Sequence, residues 1–200
     1  MTISTIKSRP IYPGLSPDLN ARSNFIVCDK SGAAAVAELF ARADSQFAKR
    51  STIIIADPVS DADAKTLASE LSPGTIEFLP SLAEGIARLH DTLQSAPMGL
   101  RLYAAGTEPL IGSVVQAAAN YGIDHLSIRT EHRGSLQRRV QCVHCKGFIE
   151  NVTTNPVTCT HCGLTLMVRD HYSRRLAAFQ GVCIDAEVPG DVPPTEALYQ

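Results

Sequence analysis

Short, nearly continuous apolar runs rich in β-branched residues recur along the first two thirds of the chain, at 24–29 (NFIVCD), 52–57 (TIIIAD), 75–79 (TIEFL), 100–105 (LRLYAA) and 125–130 (HLSIRT). Runs of this length and continuity belong to parallel strands covered on both faces. Between them, apolar residues return at helical spacing. The four sets are Val36, Leu39, Phe40 and Ala43; Ala64, Leu67, Ala68 and Leu71; Leu82, Ile86, Leu89 and Leu93; and Leu110, Val114, Ala117, Ala118 and Tyr121. Ser60 with Asp63, and Ser81 with Glu84, have the spacing of a capping box, which satisfies amide donors of a helix's first turn. Gly122 stands where a helix needs a left-handed terminator. Five strands alternating with four helices predict an α/β fold, an open, doubly wound parallel sheet over 24–134.

The pattern changes at both ends of that region. Residues 1–23 carry three of the twelve prolines (Pro10, Pro13, Pro17) and little periodicity, so they predict an extended arm that orders against a partner. Near Glu131 the β/α alternation stops, and a basic linker, HRGSLQRR, leads into a module of close cysteines. At 44% hydrophobic and 19% charged residues the chain has the composition of a globular protein, with ample material for a core. A net charge of −2 argues against a general polyanion binder. From Arg129 to Arg175, however, eight Lys/Arg face three acids, which fits either a solvated module or an acidic or phosphate-bearing partner. No stretch has the length of a signal peptide's apolar core or of a membrane span, and six cysteines without a secretory signal predict a cytoplasmic protein.

In a reducing compartment, close cysteine pairs mean metal or redox chemistry rather than structural disulfides. Cys142-Val-His-Cys145 and Cys159-Thr-His-Cys162 are two C-x-x-C knuckles thirteen residues apart. Such a turn presents two thiolates to one ion, and two turns complete a tetrahedron. Gly147 and Gly163 follow the knuckles and predict a tight backbone there. Phe148, Ile149 and Val152 suit a short hairpin, and residues 164–168 another strand. The expectation is therefore a zinc ribbon over 139–168 with Cys142, Cys145, Cys159 and Cys162 as ligands. A closed four-thiolate shell makes the zinc structural; an iron-loaded electron carrier is the alternative. His144 and His161 fall outside a completed shell. Cys28 and Cys183 read as buried small hydrophobes.

The sheet itself offers little cofactor chemistry. A dinucleotide site needs a glycine-rich turn after its first strand, where phosphate approaches backbone amides. That turn here holds Gly32 alone, and Asp29 puts a negative charge where a pyrophosphate would sit. Asp57, ending the second strand, stands where a ribose-binding acid would, but also where a simple cap would. No catalytic residue and no cofactor-binding residue is assigned.

Two resemblances attach to these residues. The segment LYAAGTEPL from Leu102 to Leu110, followed by a helix, Gly122, a last strand and Glu131, resembles the end of the NAD(P)-binding domain of ferredoxin-reductase-like flavoenzymes, with Ala105 and Thr107 replacing that family's cysteine and first proline. This implies a degenerate, Rossmann-like domain. The second resemblance spans nearly the whole chain. The double knuckle followed by LMVRDHYSRRLAAFQGVCIDAE, from Leu166 to Glu187, resembles the small, DmmA-like subunit of bacterial dimethylamine monooxygenase and of haem-dependent oxidative N-demethylases. It implies an accessory subunit in a hetero-oligomer that oxidises a methylated amine with O₂ and NADPH. Haem, FMN and iron–sulfur centres would then sit on partner subunits. Residues 169–200 are expected to be a docking segment and tail, with Phe179 as an apolar anchor, Arg169, Arg174 and Arg175 at the rim, and His171 as an interface histidine. Two other readings compete: a sheet that still binds NADPH or relays electrons, and a nucleic-acid-binding ribbon. The second is weakened by the scarcity of aromatic residues for base stacking.

Overall fold

The computed structural model describes residues 8–57 and 60–200, except for the side chain of Asp61. The chain divides into two compact units. One comprises 12–134; the other comprises 135–200 with the short segment 8–11.

In the first unit the expected alternation is present: β1 (Ser23–Cys28), α1 (Ala33–Ala41), α2 (Ser45–Lys49), β2 (Ser51–Ala56), α3 (Asp61–Leu71), β3 (Thr75–Leu79), α4 (Leu82–Gln94), β4 (Leu100–Gly106), α5 (Glu108–Ala119) and β5 (Arg129–His132). All neighbouring strands are parallel, in the order β3-β2-β1-β4-β5. Side chains alternate between the two faces. Phe25, Val27, Ile54, Leu102 and Ala104 pack with Leu89 of α4 and Leu110, Ile111 and Val114 of α5. Ile26, Cys28, Ile53, Ile55 and Tyr103 pack with Val36 and Leu39 of α1, Phe47 of α2 and Leu71 of α3. Burial on both faces is why the strands read as continuous apolar runs.

The helix starts follow the predicted chemistry. Ser60 Oγ accepts from the Asp63 amide at 3.2 Å and Ser81 Oγ from the Glu84 amide at 3.3 Å. Gly122 has φ +73°, and the Ile123 amide reaches back to the Ala118 carbonyl at 3.2 Å, closing α5 as a left-handed C-terminal cap does.

Three expectations need correction. Residues 125–127 form a 3₁₀ turn rather than strand, because the Asp124 carboxylate accepts from the Leu126 amide at 2.8 Å and caps it; the strand begins only at Arg129. The short α2, capped by Asp44 on the Phe47 amide at 2.7 Å, falls below the length at which periodicity is legible. Finally, the part of the proline-rich arm at 12–22 packs on its own sheet. Leu15 is buried, its amide donates to Glu131 Oε2 at 2.8 Å, and the Gly14 amide pairs with the Thr130 carbonyl at 3.0 Å. The Asp18 amide donates to the Tyr103 hydroxyl at 3.0 Å, and Asp18 pairs with Arg101 at 2.7 Å. Residues 1–7 of that arm lie outside the described residues.

The second unit contains β6 (Arg138–Cys142), β7 (Phe148–Val152), β8 (Thr154–Asn155), β9 (Val157–Thr158), β10 (Thr165–Ser173), β11 (Ala178–Cys183) and β12 (Glu196–Ala197). Five strands form a sheet in the order β7-β6-β11-β10-β9, while β12 pairs with β8. The expected boundary at residue 168 therefore falls inside β10. β11 is an inner strand, parallel to β6 and antiparallel to β10, with Phe179 opposite Val140 and Gly181 opposite Cys142. Phe179 is 4% exposed, in a core with Val140, Ile149, Val152, Leu166, Val168 and Tyr172. It is a core residue of this unit, not a free anchor. The chain end closes the same core: Tyr199 is buried, and the Arg138 guanidinium lies 4.1 Å from the Phe179 ring centroid and 4.0 Å from that of Tyr199. Asp170 holds Arg138 at 2.6 Å, so a buried cation is both paired and covered by π faces. Among the described residues, no helix is long and apolar enough to cross a membrane.

Candidate metal centre

The two knuckles repeat one backbone device. In the first, the Lys146 amide donates to the Cys142 carbonyl at 2.9 Å and the Cys142 amide to the Gly147 carbonyl at 3.0 Å. In the second, the Gly163 amide donates to the Cys159 carbonyl at 3.0 Å and the Cys159 amide to the Leu164 carbonyl at 2.9 Å. Each chain reversal needs a left-handed residue directly after its second cysteine. That residue is Gly163 (φ +76°) in the second knuckle but Lys146 (φ +65°) in the first. Gly147 serves differently from the role expected of it. A Cβ there would lie 2.6 Å from Cγ of His161, so the glycine makes room for the imidazole of the opposite knuckle. His161 Nε2 in turn donates to the Phe148 carbonyl at 2.8 Å. That bond ties the two knuckles together and turns Nε2 away from ligand duty, while His144 is exposed.

These turns bring Cys142, Cys145, Cys159 and Cys162 together, with all four sulfurs within 4.8 Å of one another. Cys142 and Cys162 Sγ are 3.8 Å apart, and Cys145 and Cys159 Sγ 3.7 Å. Metal–thiolate bonds of about 2.3 Å in a tetrahedron set sulfurs roughly 3.8 Å apart, so the donor set fits one ion. Cys142 and Cys159 are buried and the other two half-buried. The surroundings act on two of these thiols in opposite directions. At Cys159 burial works to raise the pKa, but amides of Cys162 and His161 and the neighbouring thiols outweigh it and lower it to about 6. At Cys162 the Leu164 amide works to lower it, but burial and the other three thiols push it up to about 12. Four thiols this close share protons unevenly, and a bound cation relieves that competition.

The other sequence candidates lie elsewhere. Cys28 is fully buried on β1, and burial pushes its thiol well above the usual range. Cys183 is half-buried and donates to Asp185 Oδ1 at 3.2 Å, which raises its pKa. His171 is exposed on β10, with Nδ1 3.2 Å from Ser8 Oγ. Arg174 and Arg175 are exposed in the β10–β11 turn. In the sheet unit, Asp29 accepts from the Gly32 amide at 2.9 Å and from the Thr107 amide and hydroxyl, both at 2.8 Å. Asp57 accepts from the Lys30 amide at 3.3 Å. The sequence points to both acids but not to Thr107 as the counterpart of Asp29, because that contact joins residues 78 positions apart.

A parallel α/β unit joined in one chain to a four-thiolate site able to hold a metal ion defines a two-part protein. The family profile described as dimethylamine monooxygenase subunit DmmA-like, N-terminal domain, matches residues 4–128, and that described as the DmmA-like C-terminal domain matches residues 139–182. The chain belongs to the DmmA-like family of dimethylamine monooxygenase subunits. It is similar to the heme-dependent oxidative N-demethylase delta subunit of Ectopseudomonas mendocina (strain ymp), with 33% identity over 144 residues, 68% of this chain and 81% of that protein.

Proposed function

We propose that this chain is an accessory subunit of an NADPH- and O₂-dependent oxidative N-demethylase acting on a methylated amine such as dimethylamine. Its own metal is a structural zinc, and its contribution is to assembly. The observation that supports this best is the family match running through both units and covering the cysteine centre. Four thiolates close the shell, so zinc held by Cys142, Cys145, Cys159 and Cys162 would fix two knuckles and leave no position for water or substrate. Haem and flavin/iron–sulfur centres belong on partner subunits of a hetero-oligomer. The sheet unit is a degenerate Rossmann-like domain, and both units fold as parts of one cytoplasmic subunit.

The test is co-purification from the native host with a tag on this chain. Haem- and flavin-containing partners at constant ratio, with N-demethylation activity in the complex, support the reading; a chain recovered alone, with full activity in its absence, refutes it. Metal analysis is the second arm. About one zinc per chain and no colour are expected of a closed four-thiolate site. A visible iron–thiolate spectrum would replace the structural zinc with an electron carrier.

A further inference from the structure

The strand order reverses between β1 and β4, and in open parallel sheets the carboxyl ends of the strands at such a reversal form the crevice where a ligand's phosphate meets backbone amides. This chain fills that crevice with its own carboxylate. Asp29 directly follows β1 and is 8% exposed. Its Oδ1 takes the Gly32 amide ahead of α1. Its Oδ2 takes both the amide and the hydroxyl of Thr107 ahead of α5. Asp57 takes the next amide of the same turn, that of Lys30. The glycines match this arrangement. Gly106 has φ +135°, and a Cβ there would collide with the Asp29 carboxylate; a Cβ on Gly32 would collide with the Ala105 carbonyl. The close approach that glycines give a pyrophosphate elsewhere is here used by a side chain.

We propose that Asp29 is an internal surrogate for a phosphate: its carboxylate occupies the sheet's anion locus, latches β1 to the β4–α5 turn, and thereby keeps dinucleotides out. The proposal rests on the accessory-subunit reading, since a subunit that also captured NADPH would compete for it with the flavin-bearing partner of that reading. Its physical basis is that one carboxylate gathers three donors from the two turns that flank the strand reversal, a preformed arrangement that no diffusing anion has to assemble.

The test is anion rescue in the full-length chain. Asp29→Ala empties the locus, and the loss of a buried acceptor from three donors should lower the unfolding midpoint by roughly 5 °C or more. Formate or inorganic phosphate should restore part of that loss, whereas sodium chloride at equal ionic strength should not. The wild type should respond to none of these anions beyond the salt effect, and NADPH should bind it with Kd of about millimolar or worse. Asp29→Asn keeps the volume of the side chain and should lose stability without gaining anion rescue. If Asp29→Ala is insoluble, refolding from denaturant with and without formate replaces the melt, and recovery that depends on formate is the expected result. Micromolar NADPH or phosphate binding by the wild type overturns the proposal, as does an Asp29→Ala variant whose stability or refolding is indifferent to anions. Assembly is scored separately. Tight nucleotide binding with intact assembly removes the surrogate alone, while an anion-rescued variant whose wild type joins no complex removes only the accessory reading.

Discussion

Phe179→Ala separates a core role for the carboxyl-terminal strands from a docking role. The ring is 4% exposed, meets Tyr172 edge-on at 4.9 Å between centroids, and covers one face of the Arg138 guanidinium at 4.1 Å. Truncating a buried phenylalanine costs about 3–5 kcal/mol through lost transfer energy and the cavity left behind. The aromatic and cation–π contacts place this site in the upper half of that range, about 4 kcal/mol. For a unit of roughly 70 residues, each 1 kcal/mol moves the midpoint by about 4–8 °C, so a fall of roughly 15–30 °C is expected. A core this small supplies on the order of 3–5 kcal/mol, so the variant should depend on its metal to stay folded. Calorimetry of wild type, Phe179→Ala and Phe179→Leu, with and without a chelator, makes the comparison. The leucine variant should lose less than the alanine variant, and the chelator should unfold the cysteine unit of Phe179→Ala at lower temperature than that of the wild type. An alanine variant that melts within about 2 °C of wild type but no longer recovers partner subunits would refute the core assignment and restore Phe179 as an interface anchor.

Other outcomes follow from the same contacts. Cys145→Ser should abolish stoichiometric metal binding and unfold the cysteine unit while the parallel sheet keeps its helical signal, checked by metal analysis and circular dichroism. Gly147→Ala should push the His161 ring out of its place and lower metal retention against a competing chelator, whereas Gly163→Ala should act through backbone strain at φ +76° alone. Acid sensitivity of the sheet unit should track Asp18 and Glu131. Burial works to raise both pKa values but is outweighed by Arg101 and the Asn20 amide at Asp18, and by the Leu15 amide and Arg133 at Glu131, so both end lowered. Carboxyls lowered in the folded state add stability above their unfolded pKa near 4 that is lost as pH falls through the lower folded values. A melt series from neutral pH downward should therefore show a drop beginning near about pH 4, and Asp18→Asn with Glu131→Gln should flatten it.

The parallel sheet was legible because burial on both faces leaves little choice of residue, and four of its strands register within a residue of their apolar runs. β5 was not, because its sequence (RTEH) is polar and the apolar letters before it, Leu126 and Ile128, belong to a turn fixed by the Asp124 carboxylate. In the cysteine unit the obstacle was charge. Leu166, Val168 and Tyr172 alternate inward as a strand should, but the position between the last two is Asp170, which pairs with the buried Arg138, and Phe179 follows only after the turn on the next strand. With Arg169, Asp170 and His171 inside the run and two arginines at the hairpin turn, the segment reads as a charged docking element rather than as the strands that complete the core.

The site shows the same division between what is local and what is not. A C-x-x-C turn specifies its own geometry within four residues, so both thiolate pairs could be named from sequence. What joins them depends on the sheet: β11 lies beside β6, and β10 lies beside β9 and brings the second knuckle to the first. Glycine is ambiguous for the same reason. Gly163 is required by its own dihedral angle, Gly147 by an imidazole from the other knuckle, and Gly106 by a carboxylate 77 positions earlier in the chain. Only the first of these needs is written in the neighbouring residues. Asp29 follows the same logic: its sequence position already puts a negative charge at the phosphate turn, but its bonds to the Thr107 amide and hydroxyl, across the strand reversal, belong to the fold. The glycines of that crevice are accounted for by contacts within the chain, Gly32 by the Ala105 carbonyl and Gly106 by the Asp29 carboxylate, whatever ligand such turns hold elsewhere.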